Sequence, residues 1–143
     1  MIAPNDVKAA IIAKLKANAG LAAAMEAIKT GASAEIREHQ WAGRTFIYPA
    51  IRIDLLPQAE VGDPPCYSSQ PFNVYIYTED DSSYNCGSLL ALVDSALIRK
   101  SIRTNTFHTG IIESVSSIPP ARQTERVWRA TGQYTTMLYG GNL

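Results

Sequence analysis

The chain has 143 residues, of which 46% are hydrophobic and 18% charged, a balance typical of globular rather than disordered proteins. Lys and Arg together number 13, and so do Asp and Glu, so the formal net charge is zero. Nucleic-acid binders obtain most of their affinity by neutralising phosphates, so this balance argues against DNA binding through charge. The length predicts a single domain over residues 1–143, and a neutral surface does little to keep copies apart.

The N-terminus and the cysteines indicate a protein that is neither secreted nor membrane-bound. Asp6, Lys8 and Lys14 interrupt any apolar segment there, so we expect no signal peptide. The longest charge-free run contains prolines and serines and cannot span a bilayer. Cys66 and Cys86 are too few for a disulfide framework, and we expect free thiols in a reducing compartment.

Two helices are predicted at the start of the chain. Val7, Ile11 and Leu15 recur every four residues, which is the spacing of one helical face. A second helical stretch follows and ends near Gly31. Its apolar positions are Leu21, Met25 and Ile28.

From residue 34 the apolar period changes to two, which is typical of strands. Residues 35–37 form a possible short edge strand, and residues 44–56 a clearer one with Arg52 and Asp54 on its polar face. The segment Pro57–Pro71 holds Gly62 and four prolines and is predicted to be a long loop. The apolar face of the clearer strand carries Ile51, Ile53 and Leu55.

The second half of the chain predicts a strand, a helix and a hairpin. Phe72, Val74 and Ile76 alternate with polar or tyrosine positions, and an amphipathic helix follows up to residue 100. Strands are predicted over residues 107–118 and 127–139, joined by a turn around Pro119 and Pro120. The order of elements predicts an α+β fold, with an antiparallel sheet of about four strands and helices packed on one face.

No catalytic or cofactor motif is present in the sequence, and we expect no enzyme, cofactor or metal. His39, His108, Cys66 and Cys86 lack the short spacings of a zinc site. The acidic run 79–81 precedes a helix, where negative charge favours the helix dipole, although a weak divalent-ion site remains the alternative.

Four residues share the predicted polar face of the two strands on either side of the long loop: Arg52, Asp54, Tyr75 and Tyr77. The first interpretation is a half-hydrated outer face of a sheet. The second is a protein interface, because Tyr and Arg are enriched at such contacts. The sequence pattern leaves both interpretations open.

Five segments together resemble the tail-terminator (tail-completion) proteins of long-tailed bacteriophages. They are DVKAAIIAKLKA, YPAIRIDLLPQ, FNVYIYTED, SLLALVDSALI and RVWRATGQYTTMLY, in this order along most of the chain. The most specific parts are the Y-P-x-I-x-I pattern that begins at Tyr48 and the aromatic strand before the third helix.

The resemblance implies a non-catalytic subunit of a sixfold ring that caps the tail tube, ends tube polymerisation and offers a docking face for the head connector. The implied partners are identical copies, the tail tube protein and head–tail connector proteins, while DNA passes through the lumen without sequence-specific binding. The implied location is the tail or neck of the virion, assembled in the host cytoplasm.

By the same resemblance, the loop Pro57–Pro71 and the connection Ser117–Arg126 are expected to reach a neighbouring subunit or the tube. Pro64, Pro65 and Cys66 match no family motif. The expected contact therefore rests on the position of the loop in the chain and not on these residues. The candidate interface residues are Arg52, Asp54, Gln58, Glu60, Asp63, Tyr67, Tyr75, Tyr77, Arg122 and Arg126.

Two alternatives stand beside this hypothesis. One is a different neck, head–tail connector or minor capsid subunit. The other is a small enzyme or ligand-binding module, which would need a concave pocket with converging polar groups.

Overall fold

The computed structural model describes residues 2–29, 35–39, 47–61 and 67–140. These residues form three helices and seven strands. The helices are α1 (Pro4–Lys16), α2 (Ala19–Ile28) and α3 (Tyr84–Leu97), and the strands are β1 (Glu35–Glu38), β2 (Ala50–Leu55), β3 (Ala59–Val61), β4 (Tyr67–Glu79), β5 (Phe107–Thr109), β6 (Glu113–Arg122) and β7 (Val127–Gly140).

All seven strands belong to one sheet, built around the long antiparallel pair β4 and β7. On the outer edge of β4, β2 and β3 pair with successive parts of the strand. On the outer edge of β7, β6 and β5 do the same. β1 pairs with β2 and completes the sheet order β1-β2-β4-β7-β5.

The predicted sheet of about four antiparallel strands is wrong, although the α+β class holds. The described residues contain seven strands, and β1 and β2 run parallel. The predicted loop Pro57–Pro71 contains β3 and the first residues of β4, with Pro71 paired to Thr135 inside the sheet. Short strands carry too few residues to show a period of two, and prolines obscured the strand character of β4 and β6.

The helices cover one face of the sheet, where α1 packs against β1 and β2, and α3 packs against β4 and β7. Alternation of burial along β4 places Phe72, Val74 and Ile76 under these helices. Tyr134 of β7 stacks on Phe72 with ring centroids 5.4 Å apart, and its hydroxyl donates a hydrogen bond to Asp94 of α3. The hydrophobic core is therefore the layer between sheet and helices.

Asn18 lies between α1 and α2 and begins the second helix. Its side-chain oxygen accepts a hydrogen bond of 2.9 Å from the backbone N–H of Leu21, which caps α2.

Within the described ranges, no helix has the length and apolar character needed to cross a membrane.

Candidate assembly surface

The face of the sheet opposite the helices is called the polar face, and pairing aligns its residues in rows across the strands. One row contains Arg37, Arg52, Tyr75, Thr131 and Ile118, which are successive partners on β1, β2, β4, β7 and β6. The row thus runs from one edge of the sheet to the other and places charged, aromatic and aliphatic side chains side by side.

A buried ion pair anchors the β1 end of the polar face. Arg52 is only 2% exposed, and its Nη2 atom lies 2.5 Å from Oε1 of Glu35. Arg37 donates from Nε to the other carboxylate oxygen of Glu35 at 3.0 Å. Burial raises the pKa of Glu35, but hydrogen bonds and charge from Arg52 and Arg37 outweigh it and hold that pKa below its ordinary value.

Tyr75 occupies the centre of the polar face and is half-buried by polar neighbours. The ring of His39 lies 4.9 Å from its ring, and the guanidinium carbon of Arg129 lies 5.6 Å from its ring centroid. Asn73 donates a hydrogen bond of 3.3 Å to the Tyr75 hydroxyl. The arrangement orders the tyrosine while leaving part of its surface accessible.

A second aromatic group lies at the opposite end of the polar face. The ring of Tyr139 is 5.6 Å from that of Tyr67 and 5.1 Å from that of His108. Met137 lies on the same face and is 36% exposed. This end is more apolar than the ion-paired end around Arg52.

The strand β6 forms an exposed edge of the sheet. Nine of its ten residues are exposed, and Val115 and Ile118 are 63% and 48% exposed. Val115 is the extra residue of a bulge, because Ser114 pairs with Tyr134 and Ser116 with Gln133. Such an edge offers unpaired backbone groups and apolar side chains to another chain.

The acidic run 79–81 forms hydrogen bonds and an ion pair with other residues of the chain. Asp80 accepts hydrogen bonds from the Asn85 side chain and the Asp81 backbone, and its carbonyl accepts one of 3.1 Å from Trp128 Nε1. Arg126 lies 2.6 Å from Asp81. Across the described residues, no three His, Cys, Asp or Glu side chains are grouped in a way that could hold a metal ion.

The structure brings four of the sequence-predicted residues together: Arg52, Asp54, Tyr75 and Tyr77 lie in adjacent rows of the polar face. The guanidinium of Arg52 is buried against Glu35 within its own subunit. Tyr67 lies on the same face at its other end.

The remaining candidates lie elsewhere. Gln58 donates a hydrogen bond of 2.8 Å to the carbonyl of Ile2, which ties the N-terminal segment to the β2–β3 link. Glu60 is exposed on β3, Arg122 ends β6, and Arg126 lies in the β6–β7 turn. Asp63 lies outside the described residues.

Sequence reasoning missed the β6 edge and the partners of Arg52. A turn or loop was predicted over Ser117–Gln123 because of Pro119 and Pro120, yet residues 117–122 lie within β6 and contain a bulge. The available signal was the pair of apolar residues Val115 and Ile118 immediately before those prolines. No local pattern indicated that Glu35 binds Arg52, since the two residues are 17 positions apart in the chain.

The fold is shared with a solved structure described as the virion of native gene transfer agent (GTA) particle. The TM-score is 0.74 and the sequence identity 15%, and the match covers 98% of this chain and all of the other chain. Comparison with protein families and with curated proteins finds no match. At this identity the likeness establishes the fold.

Proposed function

We propose that this chain is a structural protein of a virion, forming a ring that caps a tail tube, ends its polymerisation and offers a docking face to the head connector. The observation that carries the proposal is the fold match over 98% of this chain and the whole of a chain from a virion. The five segments that resemble tail terminators support the finer role, in the tail or neck.

The surface chemistry is compatible with assembly rather than with catalysis. The polar face holds ordered tyrosines and arginines, the residue types enriched at protein contacts. A zero net charge leaves little repulsion between copies in a ring. A ring of identical subunits uses two different patches on each subunit, and the two edges of this sheet differ in this way.

Two measurements on the purified chain test the proposal. Native mass spectrometry should detect a closed ring of about six copies, the number that the resemblance to tail terminators implies. Added to polymerising tail tubes, the chain should stop elongation and be seen by electron microscopy at the head-proximal tube end. A chain that remains monomeric and leaves tube length unchanged would refute the proposal.

The position of the label separates this role from its nearest alternative. Gold-labelled chain in intact particles should mark the tube end. Labelling of the upper neck or of the capsid would instead indicate a connector or minor capsid subunit.

A further inference from the structure

We infer that neighbouring copies join by adding the β6 strand of one copy to the β1 edge of the next, so that the sheets form one continuous ring. The inference rests on the proposed function, because it names the contact inside the proposed ring. It starts from two edges: among the described residues, β1 pairs only with β2, and β6 pairs only with β7.

Strand directions make these two edges compatible. β1 is parallel to β2, and each step from β2 to β4, to β7 and to β6 reverses direction. β6 therefore runs antiparallel to β1 at the opposite edge of the same sheet. When identical copies follow one another around an axis, the β6 of one copy meets the β1 of the next in antiparallel orientation.

The length of β6 that is available for pairing is limited on both sides. Before the strand, the backbone of Ile112 is bound to the end of α3 through Arg99 and Lys100 at 2.9 and 2.8 Å. At the other end, Pro119 and Pro120 have no N–H to donate, and Pro120 lies beside Gly87 of α3. Residues 113–118 remain as an exposed segment, long enough to cover the four residues of β1.

A groove next to β1 suits the apolar side chains of this segment. It lies between α1 and β1 and has a volume of about 310 Å³. Its apolar lining comes from Ala9, Ile12 and Ile36. Val115 of a second copy is the proposed occupant, since it is 63% exposed and its place in a bulge frees it from pairing with β7.

Charge favours the same partner. Among the residues that the structure describes, the groove is lined by three cationic side chains and by one carboxylate, that of Glu38. Glu113 is the one charged residue in the segment 113–118 and brings a negative charge to this cationic rim. The cationic residues are Lys8, which is ion-paired with Glu38 at 2.9 Å, Arg37, which is ion-paired with Glu35 at 3.0 Å, and Lys16.

A mixing experiment tests the contact directly. Arg37→Cys and Ser117→Cys are made separately in a Cys66→Ser background, where the remaining Cys86 is buried. A short bis-maleimide linker, which tolerates a shift of register, should cross-link the mixture into dimers and leave each variant alone uncross-linked. Ser95→Cys, on the exposed side of α3, is the control and should not cross-link with Arg37→Cys.

Other cross-linking outcomes overturn the inference. Cross-links in Ser117→Cys alone would mean that two β6 edges meet and would overturn the inference. A ring seen by native mass spectrometry without cross-links in the mixture would overturn this contact and leave the proposed function standing. A chain that stays monomeric and does not stop tube growth would defeat the proposed function itself.

A pair of substitutions on β6 provides a second readout. Val115→Asp with Ile118→Asp should weaken ring formation at least tenfold, because one charge would enter the apolar groove and the other would lie on the polar face where the two sheets join, while circular dichroism stays unchanged. Tyr84→Asp is the matched control, since Tyr84 is 77% exposed but lies on α3, and it should assemble normally. Normal assembly of the β6 variant would overturn the inference.

Discussion

Phe72 and Tyr75 lie three residues apart on β4 and illustrate the difference between the two faces of the sheet. Phe72 is fully buried beneath the helices and stacked on Tyr134, so its whole surface is used inside the subunit. Tyr75 is held by a histidine, an arginine and an asparagine and keeps an accessible surface. One face therefore stabilises the fold, while the other orders side chains that remain available for contacts between molecules.

The largest expected effect tests this comparison within a single strand. Phe72→Ala should lower the free energy of unfolding by about 4 kcal/mol, because it removes a buried ring and leaves a cavity. Tyr75→Ala should cost only about 1 kcal/mol, the scale of a partly exposed aromatic contact. Urea unfolding of the isolated chain measures both, and equal losses would contradict the division between the faces.

The buried ion pair is the exception on the polar face, and it should produce the next largest effect. Glu35→Ala should cost about 3 kcal/mol, because the buried guanidinium of Arg52 would lose its carboxylate partner. Glu26→Ala is the control, since its pair with Lys29 is exposed and should be worth less than about 1 kcal/mol. A similar loss in both variants would show that the burial of Arg52 has no energetic consequence.

Gly132 tests how closely the helix-covered face is packed. A Cβ atom there would clash with the hydroxyl oxygen of Tyr134, whose side chain is buried and bound to Asp94. We expect Gly132→Ala to cost about 2 kcal/mol through overpacking. Gly110→Ala is the control, because its nearest contacts would lie at an ordinary 3.7 Å. Thermal unfolding of the two variants should separate them clearly.

The smallest expected effect is a pH dependence of stability that arises at the polar face. The pKa of Glu35 is lower in the folded chain than its ordinary value near 4.5, so folding favours the ionised carboxylate. Its contribution is complete above pH 4.5 and declines as the pH falls towards the folded pKa. Urea unfolding between pH 7 and pH 3 should show a steeper loss for the wild type than for Glu35→Gln. If the stability of the two proteins fell equally with pH, Glu35 would not contribute to the pH dependence.

The helices and the inward-facing side of β4 were predictable because their signals are local. Val7, Ile11 and Leu15 are all buried on α1, as their spacing predicted. The alternation of Phe72, Val74 and Ile76 likewise predicted which side of β4 faces the core. The boundaries of β4 were harder to predict, because Pro71 suggested a loop although this residue pairs with Thr135 within the sheet.

The candidate surface was predicted only in part, since exposure depends on distant neighbours. Arg52 was placed correctly on the face of β2 opposite Ile51 and Ile53, but its burial results from Glu35. Val115 and Ile118 belong to a strand-like segment in the sequence, and only the sheet order shows that this segment lies at an edge.

The amino-acid pattern was enough to predict which segments are helical and which side chains of the long strands point towards the core, because these properties follow from the local period of apolar residues. The tertiary structure alone decided that β1 and β2 run parallel, that Arg52 is buried and that β6 forms an exposed edge. Each of these features depends on strand pairing between residues far apart in the chain, and a local pattern carries no information about which distant strand will be the partner.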